Sequence, residues 1–244
     1  MTEWYQAYYG ADYAESVREI ATPARAEAEV AFIVRETGLQ LPAAVADVAC
    51  GHGRHAVAFA TRGFRVTGVD QNADFIAAGQ AAAPAGTDLV VGDMRQPFGG
   101  PYNLITILFQ SFGFFDDAEN HAVLEVWSAR LAPGGWFVLD VWNRDFIIRH
   151  FEPVRTWQAS ATLEVSEQRR FDPLSGQLTI HYRYRYADGA QHEYDGRFRL
   201  YAAAELRGLC EGAGLRVESL YGSLTGEPYD LDARRLIVFA RKPG

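Results

Sequence analysis

Up to Trp142, continuous apolar runs alternate with stretches of helical periodicity. The runs AVADVA (44–49), FRVTGV (64–69), DLVVG (88–92), YNLITILF (102–109) and WFVLDVW (136–142) read as strands buried in a parallel sheet. Between them, helices are predicted over 54–62, 72–82 and 117–131. Gly63 ends the first, Pro84 the second, and Val123, Leu124, Trp127 and Leu131 form the apolar face of the third. An earlier helix is predicted over 23–37, with Thr22 as N-cap, Pro23 at its first position and Gly38 as terminator. This alternation predicts a doubly wound α/β sheet with right-handed crossovers.

The period changes near residue 150. LEVSEQRRFD (163–172), QLTIHYRYRYAD (177–188) and HEYDGRFRLY (192–201) alternate every second residue. Turn signals separate them at Pro173-Leu174-Ser175-Gly176 and Asp188-Gly189. A three-stranded antiparallel extension inserted after the fifth strand is predicted. A helix over 203–213 and strands over 215–222 and 234–243 complete the main sheet as an antiparallel pair at one edge. At the other end of the chain, Trp4, Tyr5, Tyr8, Tyr9 and Tyr13 share a helical face, which fits either core packing or a lid. The expected organisation is one domain over 1–244. It has a helical lid over about 1–22, a core over about 23–150 and 202–244, and the β extension over about 151–201.

Composition narrows the classes. The 244 residues are 48% hydrophobic and 22% charged, ordinary values for a globular chain. Net charge is −8, with no basic footprint for nucleic acid. No apolar run reaches the ~18 residues of a membrane span, and the N-terminus has no signal-peptide pattern. Cys50 and Cys210 form no metal or redox spacing, and the histidines suggest no metal site. A cytoplasmic enzyme, monomeric or homodimeric, is expected.

Chemistry concentrates at the first strand tip, VADVACGHGRHA (45–56). There Gly51 and Gly53 form a tight turn into a helix N-terminus, where backbone N–H groups and the helix dipole are free. The turn also reads as the dinucleotide fingerprint G-x-G-x-x-A, so NAD and S-adenosylmethionine both fit it. Asp70 ends the second strand and suits ribose hydroxyls of either. Asp93, at the third strand tip beside Met94, suits an adenine amino group and breaks the tie against NAD.

The series DVACGHG, VTGVD, VVGDM and LAPGGWFVLDVW resembles the class I S-adenosylmethionine-dependent methyltransferases, from about Arg25 to Val141 and again in the C-terminal strands. The DVACG turn is similar to that of the glycine N-methyltransferase-like small-molecule group. The resemblance implies a seven-stranded Rossmann-like sheet, S-adenosylmethionine as cofactor and S-adenosylhomocysteine as product. It implies a cofactor site of Tyr9, Arg25, Asp47, Ala49, Gly51, Gly53, Asp70, Gln71, Asp93, Met94 and Phe109. In it Gly51 and Gly53 admit the amino-acid part, and Arg25 holds the cofactor carboxylate. Arg25 reads equally well as a solvated helix residue.

The loop Phe109–Phe115 lies where the methyl group points. It has no Asn/Asp-Pro-Pro-Tyr motif, which counts against adenine- or glutamine-directed methylation. Candidate acceptor contacts are Ser111, Phe114, Trp142, Arg144, Tyr182, Arg197 and Arg199. If the basic faces carrying His181, Arg183 and Arg185, or Arg197 and Arg199, point inward, an anionic acceptor is implied. His55 reads as a packing or capping residue, and no general base is assigned. The expectation is methyl transfer to nitrogen or oxygen of a small molecule, beneath a roof made by the N-terminal helix and the inserted sheet. The competing readings are a nicotinamide-dependent oxidoreductase, a non-catalytic cofactor-binding subunit, and a protein-modifying enzyme.

Overall fold

The computed structural model describes residues 3–244. The helix expected over the N-terminal aromatics is two short ones, α1 (Trp4–Tyr8) and α2 (Ala11–Val17), broken at Tyr9-Gly10. In α3 (Pro23–Thr37), the Thr22 hydroxyl accepts from the Arg25 backbone N–H at 3.2 Å. Gly38 ends the helix at φ +62. There follow β1 (Ala44–Val48), α4 (Arg54–Thr61), β2 (Arg65–Asp70), α5 (Ala73–Ala82), β3 (Thr87–Val91), β4 (Tyr102–Ile107), α6 (Asp117–Ser128) and β5 (Leu131–Trp142). After α7 (Arg144–Arg149) come β6 (Val154–Ser160), β7 (Leu163–Asp172), β8 (Gln177–Tyr186) and β9 (Gln191–Arg199). The chain finishes with α8 (Ala203–Gly212), β10 (Arg216–Tyr221) and β11 (Arg235–Arg241).

Seven strands form one sheet in the order β10-β11-β5-β4-β1-β2-β3. Strands β3, β2, β1, β4 and β5 run parallel, and β11 is antiparallel to both β5 and β10. Strand order reverses between β1 and β4, so a crevice opens at their carboxyl ends. One face of the sheet packs on α6 and α8 through Trp127, Leu206 and Cys210. The other packs on α3 and α4 through Ile33 and Phe59. Phe59 is fully buried, and burial of one such side chain contributes about 2–3 kcal/mol.

The inserted sheet has four strands, in the order β6-β7-β8-β9, where three were expected. In VRTWQAS (154–160) only the last two residues are buried, so it lacks the alternation that marks a half-buried strand. The short helix α7 was also missed. The Asn143 carboxamide caps it, accepting from the Asp145 N–H at 3.0 Å. The inner face of this sheet presents Leu163, Val165, Ile180, Tyr182, Tyr184 and Phe198, and Tyr8 of α1 packs among them. The N-terminal helices are therefore held against the inserted sheet.

That attachment is polar as well as aromatic. The Asp12 carboxylate on α2 accepts from the hydroxyls of Tyr186 (2.8 Å) and Tyr194 (2.7 Å), and lies 2.7 Å from His192 Nδ1. Tyr8 stacks on Tyr182 with ring centroids 4.5 Å apart. Among the described residues, no helix is long and apolar enough to cross a membrane.

Candidate cofactor and acceptor site

A cavity of about 930 Å³ lies at the carboxyl ends of β1, β2, β3 and β4, with α1 and α2 along one side. Its floor is the turn after β1. Ala49, Gly51 and Gly53 adopt φ of +54, +58 and +75. A left-handed alanine costs about 1–2 kcal/mol, and strain of this kind collects at functional sites. The turn is held by Cys50 N–H to the Val69 carbonyl and Gly53 N–H to the Cys50 carbonyl, both 3.0 Å. At Gly51 a Cβ would meet nothing within 4 Å, so this backbone presents open space to the cavity. Gly53 does something else. A Cβ there would lie 2.9 Å from Leu89 Cδ1, and Gly53 does not line the cavity. It lets α4 start close against β3, which corrects its expected part in ligand approach.

The acids expected at the strand tips meet at this cavity. Asp70 Oδ2 accepts from the Gly51 N–H and Oδ1 from the Asn72 N–H, each at 2.8 Å. Burial pushes its pKa above the usual carboxylate value, and the two N–H groups pull against that. Gln71 lines the cavity beside it. Asp93 and Met94 also line the cavity, but Asp93 has a partner that sequence reading missed. Arg95 grips it through Nε at 3.1 Å to both oxygens and through Nη2 at 2.6 Å to Oδ2. Burial works to raise the Asp93 pKa, but this grip wins and holds it below the ordinary value. The Met94 carbonyl accepts from Trp127 Nε1 at 2.6 Å, which fixes the third strand tip to α6.

Asp47 is 1% exposed. Its Oδ1 accepts from the Thr106 hydroxyl at 2.9 Å, and Oδ2 has no partner among the described residues. Burial raises its pKa, against the pull of His55 and Arg54. Arg54 also lines the cavity, and its buried Nη2 likewise has no partner. An unmatched carboxylate oxygen and an unmatched guanidinium nitrogen are thus buried beside this cavity, and a buried polar atom without a partner is costly.

Arg25, the expected carboxylate ligand, does not line the cavity. Its Nε donates to Glu29 Oε1 at 3.0 Å, and its guanidinium lies 5.8 Å from the Phe109 ring centroid. Arg54 covers the same ring at 4.5 Å. Arg54 follows Gly53 directly in the turn motif, a signal that was available in the sequence. Beneath the turn, Glu29 Oε2 meets His55 Nε2 at 2.7 Å and Arg54 Nη1 at 3.3 Å. His55 is a buried partner of Glu29 and also lines the cavity.

The far end of the cavity is the loop after β4. Phe109 and Gln110 adopt φ of +57 and +66. The Phe109 N–H donates to Asp140 Oδ2 at 2.7 Å, and the Gln110 N–H to the Asp140 carbonyl at 3.0 Å. Phe109, Ser111 and Phe114 line the cavity with Tyr5, Tyr9 and Tyr13. Tyr9 packs on Phe114 at 5.3 Å, and its carbonyl accepts from Asn72 Nδ2 at 2.8 Å. Asn72, which ties the N-terminal helices to the Asp70 strand tip, was not predicted.

The other acceptor candidates lie outside the cavity. Trp142 packs on Phe198 at 4.8 Å, and Tyr182 is buried against Tyr8. Arg144 donates to Glu205 at 2.8 Å, and Arg199 to Asp117 at 2.9 Å. Arg197 is exposed on the outer face of β9. That face also carries Arg183, paired with Glu193 at 2.7 Å, and His181, 3.0 Å from Asp195. On β8 the inward row is tyrosine and the basic row points out, so the condition for an anionic acceptor is not met. No residue of the inserted sheet lines the cavity. That sheet backs the N-terminal helices instead of forming the roof itself.

Comparison with known proteins agrees with this architecture. Residues 45–135 match a family described as a methyltransferase domain. A Streptomyces fradiae protein, dTDP-3-amino-3,6-dideoxy-alpha-D-glucopyranose N,N-dimethyltransferase, is 29% identical over 216 residues, covering 83% of this chain and 81% of that protein. Among solved structures, the CcbJ methyltransferase from Streptomyces caelestis superposes with a TM-score of 0.80 at 21% identity, over 90% of each chain. CalS10, an amino pentose methyltransferase from Micromonospora echinaspora, gives 0.65 at 24% identity, over 98% of this chain and 94% of that one. These likenesses show a shared fold.

Proposed function

We propose that this class I S-adenosylmethionine-dependent methyltransferase acts on the amino nitrogen of a sugar. The observation that carries the choice of acceptor is the chemistry of the wall around Ser111 and Phe114. Tyr5, Tyr9, Tyr13 and Phe115 form it. The arginines lining the cavity, Arg18 and Arg54, face Glu15 and Glu29. An aromatic wall whose own residues carry no cation suits a neutral amine on a hydroxylated ring. Aromatic faces take the C–H side of the ring, and phenols bond its hydroxyls. An amine lone pair needs no strong base. The Streptomyces fradiae relative, named for dimethylating an amino sugar, supports the same class.

The cofactor supplies a methyl group already activated on a sulfonium, so this chain's own task is to bind, orient and exclude water. In our reading Asp47 Oδ2 meets the cofactor ammonium and Arg54 Nη2 its carboxylate. Gly51 admits the chain of atoms between them. Asp70 accepts from the ribose hydroxyls, with Gln71 beside the base. Asp93 and the Met94 backbone read the adenine edge, with Asp93 oriented by Arg95. The helices α1 and α2 act as a lid, braced by the inserted sheet.

Replacing Arg54 tests the reassigned carboxylate contact. Arg54→Ala should lower S-adenosylhomocysteine affinity about tenfold or more in calorimetry, as expected for losing a charged hydrogen bond. Arg25→Ala should cost less than about threefold, and the reverse order would return Arg25 to the site. The acceptor is tested by incubating the protein with S-adenosylmethionine and dTDP-3-amino-3,6-dideoxyglucose. A parallel reaction uses the sugar with hydroxyl in place of the amine. Mass spectrometry should show one or two methyl increments on the amine alone. Methylation of the hydroxyl sugar, or of neither while a carboxylic acid is methylated, would overturn the proposal.

A further inference from the structure

The acceptor loop and the cofactor turn are joined beneath the cavity by side chains that line neither. Asp140, on β5, is fully buried, and its carboxylate and carbonyl take the N–H groups of Phe109 and Gln110. These are two successive non-glycine residues in the left-handed region, so the loop keeps its shape only while something outside it holds it. Asp140 is held in turn by Arg235, whose Nε donates to Oδ1 at 2.7 Å and whose Nη2 also meets Oδ2. The other arm of Arg235 reaches Glu29 Oε1 at 3.3 Å. Glu29 completes the path at Arg54 and His55, on the first turn of α4 directly behind the glycine turn. Glu29 belongs to α3 and Arg235 to β11, so segments far apart in sequence converge here with their charges paired.

We propose that Glu29, Arg235 and Asp140 form a buried positioning relay that fixes the acceptor loop against the cofactor turn. None of the three lines the cavity, so they act through Phe109, Gln110 and Arg54 and are positioning residues. The relay rests on reading the cavity as the methyl-transfer site. Its geometric content, that Asp140 and Arg235 hold the 109–110 backbone, does not depend on which acceptor binds.

Amide hydrogen exchange tests it in the full-length protein. Asn at position 140 has the size of Asp but presents an N–H group either to Arg235 or to the Phe109 N–H. Asp140→Asn should speed exchange at Phe109 and Gln110 by about tenfold or more. Exchange along β1 and β2 should be unchanged. Arg235→Lys keeps the charge and loses the fork, and should give an intermediate rate at the same two amides. Should Asp140→Asn fail to fold, Arg235→Lys decides alone. Wild-type exchange at both amides, or acceleration spread equally through β1 and β2, would overturn the relay. If S-adenosylhomocysteine does not bind the wild-type protein, the cofactor reading falls, and the exchange comparison between ligand-free proteins still decides the relay.

Discussion

Asp70→Ala is expected to weaken S-adenosylhomocysteine binding about a hundredfold or more, read by calorimetric titration. Two losses add. The carboxylate that would accept both ribose hydroxyls disappears, and hydrogen bonds to a charged group are worth about 1.5–3 kcal/mol each. The Gly51 and Asn72 N–H groups also lose their acceptors, which frees the turn that shapes the floor. The pH response gives an independent check. Burial raises the Asp70 pKa, so its charge, and the affinity that depends on it, is lost sooner on acidification than for an ordinary aspartate. Asp47, proposed above to meet the cofactor ammonium, shifts the same way. Wild-type affinity should therefore fall on acidification at a higher pH than an ordinary aspartate would set, and Asp70→Asn should flatten part of that slope. Wild-type affinity in Asp70→Ala would remove the ribose assignment. NAD run beside it should show no binding.

The second large effect concerns stability. Glu29 is 2% exposed and serves Arg25, Arg54, His55 and Arg235 together. Glu29→Ala strands buried cations, a change that costs about 3–5 kcal/mol, and should lower the melting temperature by about 10 °C. The pH dependence has a definite sign. Burial opposes ionisation of Glu29, but its hydrogen bond to His55 and the surrounding positive charge win, and its pKa lies far below normal. A depressed carboxyl contributes stability above its unfolded pKa of about 4.3 and loses it as pH falls toward the folded value. The gap between wild type and Glu29→Ala should then hold through neutral pH and narrow only below about pH 4.3. His55, also depressed, acts earlier. Its stability contribution is lost as pH falls below about 6.5, where the unfolded chain takes the proton. A gap that fails to narrow below about pH 4.3 would contradict the network.

What the sequence showed of this protein divides along physical lines. Strands buried on both faces announce themselves, so β1, β2, β4 and β5 and their glycine and acidic termini were legible together. The β6 strand was not, because its outer half is solvated and carries no period. Among site residues, Asp47, Asp70 and Asp93 were placed by their strand ends alone. Arg95 is two residues beyond Asp93, yet nothing in a one-dimensional pattern says which way its side chain folds. Arg25 and Arg54 posed a harder problem. Both converge on Glu29 and Phe109, and only the packing of α3 on α4 decides which one reaches the cavity. Which row of β8 faces inward was undecided for a simpler reason. Alternation separates two faces without saying which is inside, and the tyrosines rather than the basic residues won the core.

The clasp between Asp12 and the tyrosines and histidine of β8 and β9 joins residues some 180 positions apart. During synthesis the N-terminal helices leave the ribosome first, but their binding surface is made only near the end. Arg235, from β11, arrives later still. The clasp and the buried charge relay behind the crevice are therefore incomplete while the chain is growing. Competence to bind should appear as one late event, when the final strand enters the sheet, and a nascent chain stalled before β11 should carry a formed β1 to β5 yet retain no S-adenosylhomocysteine.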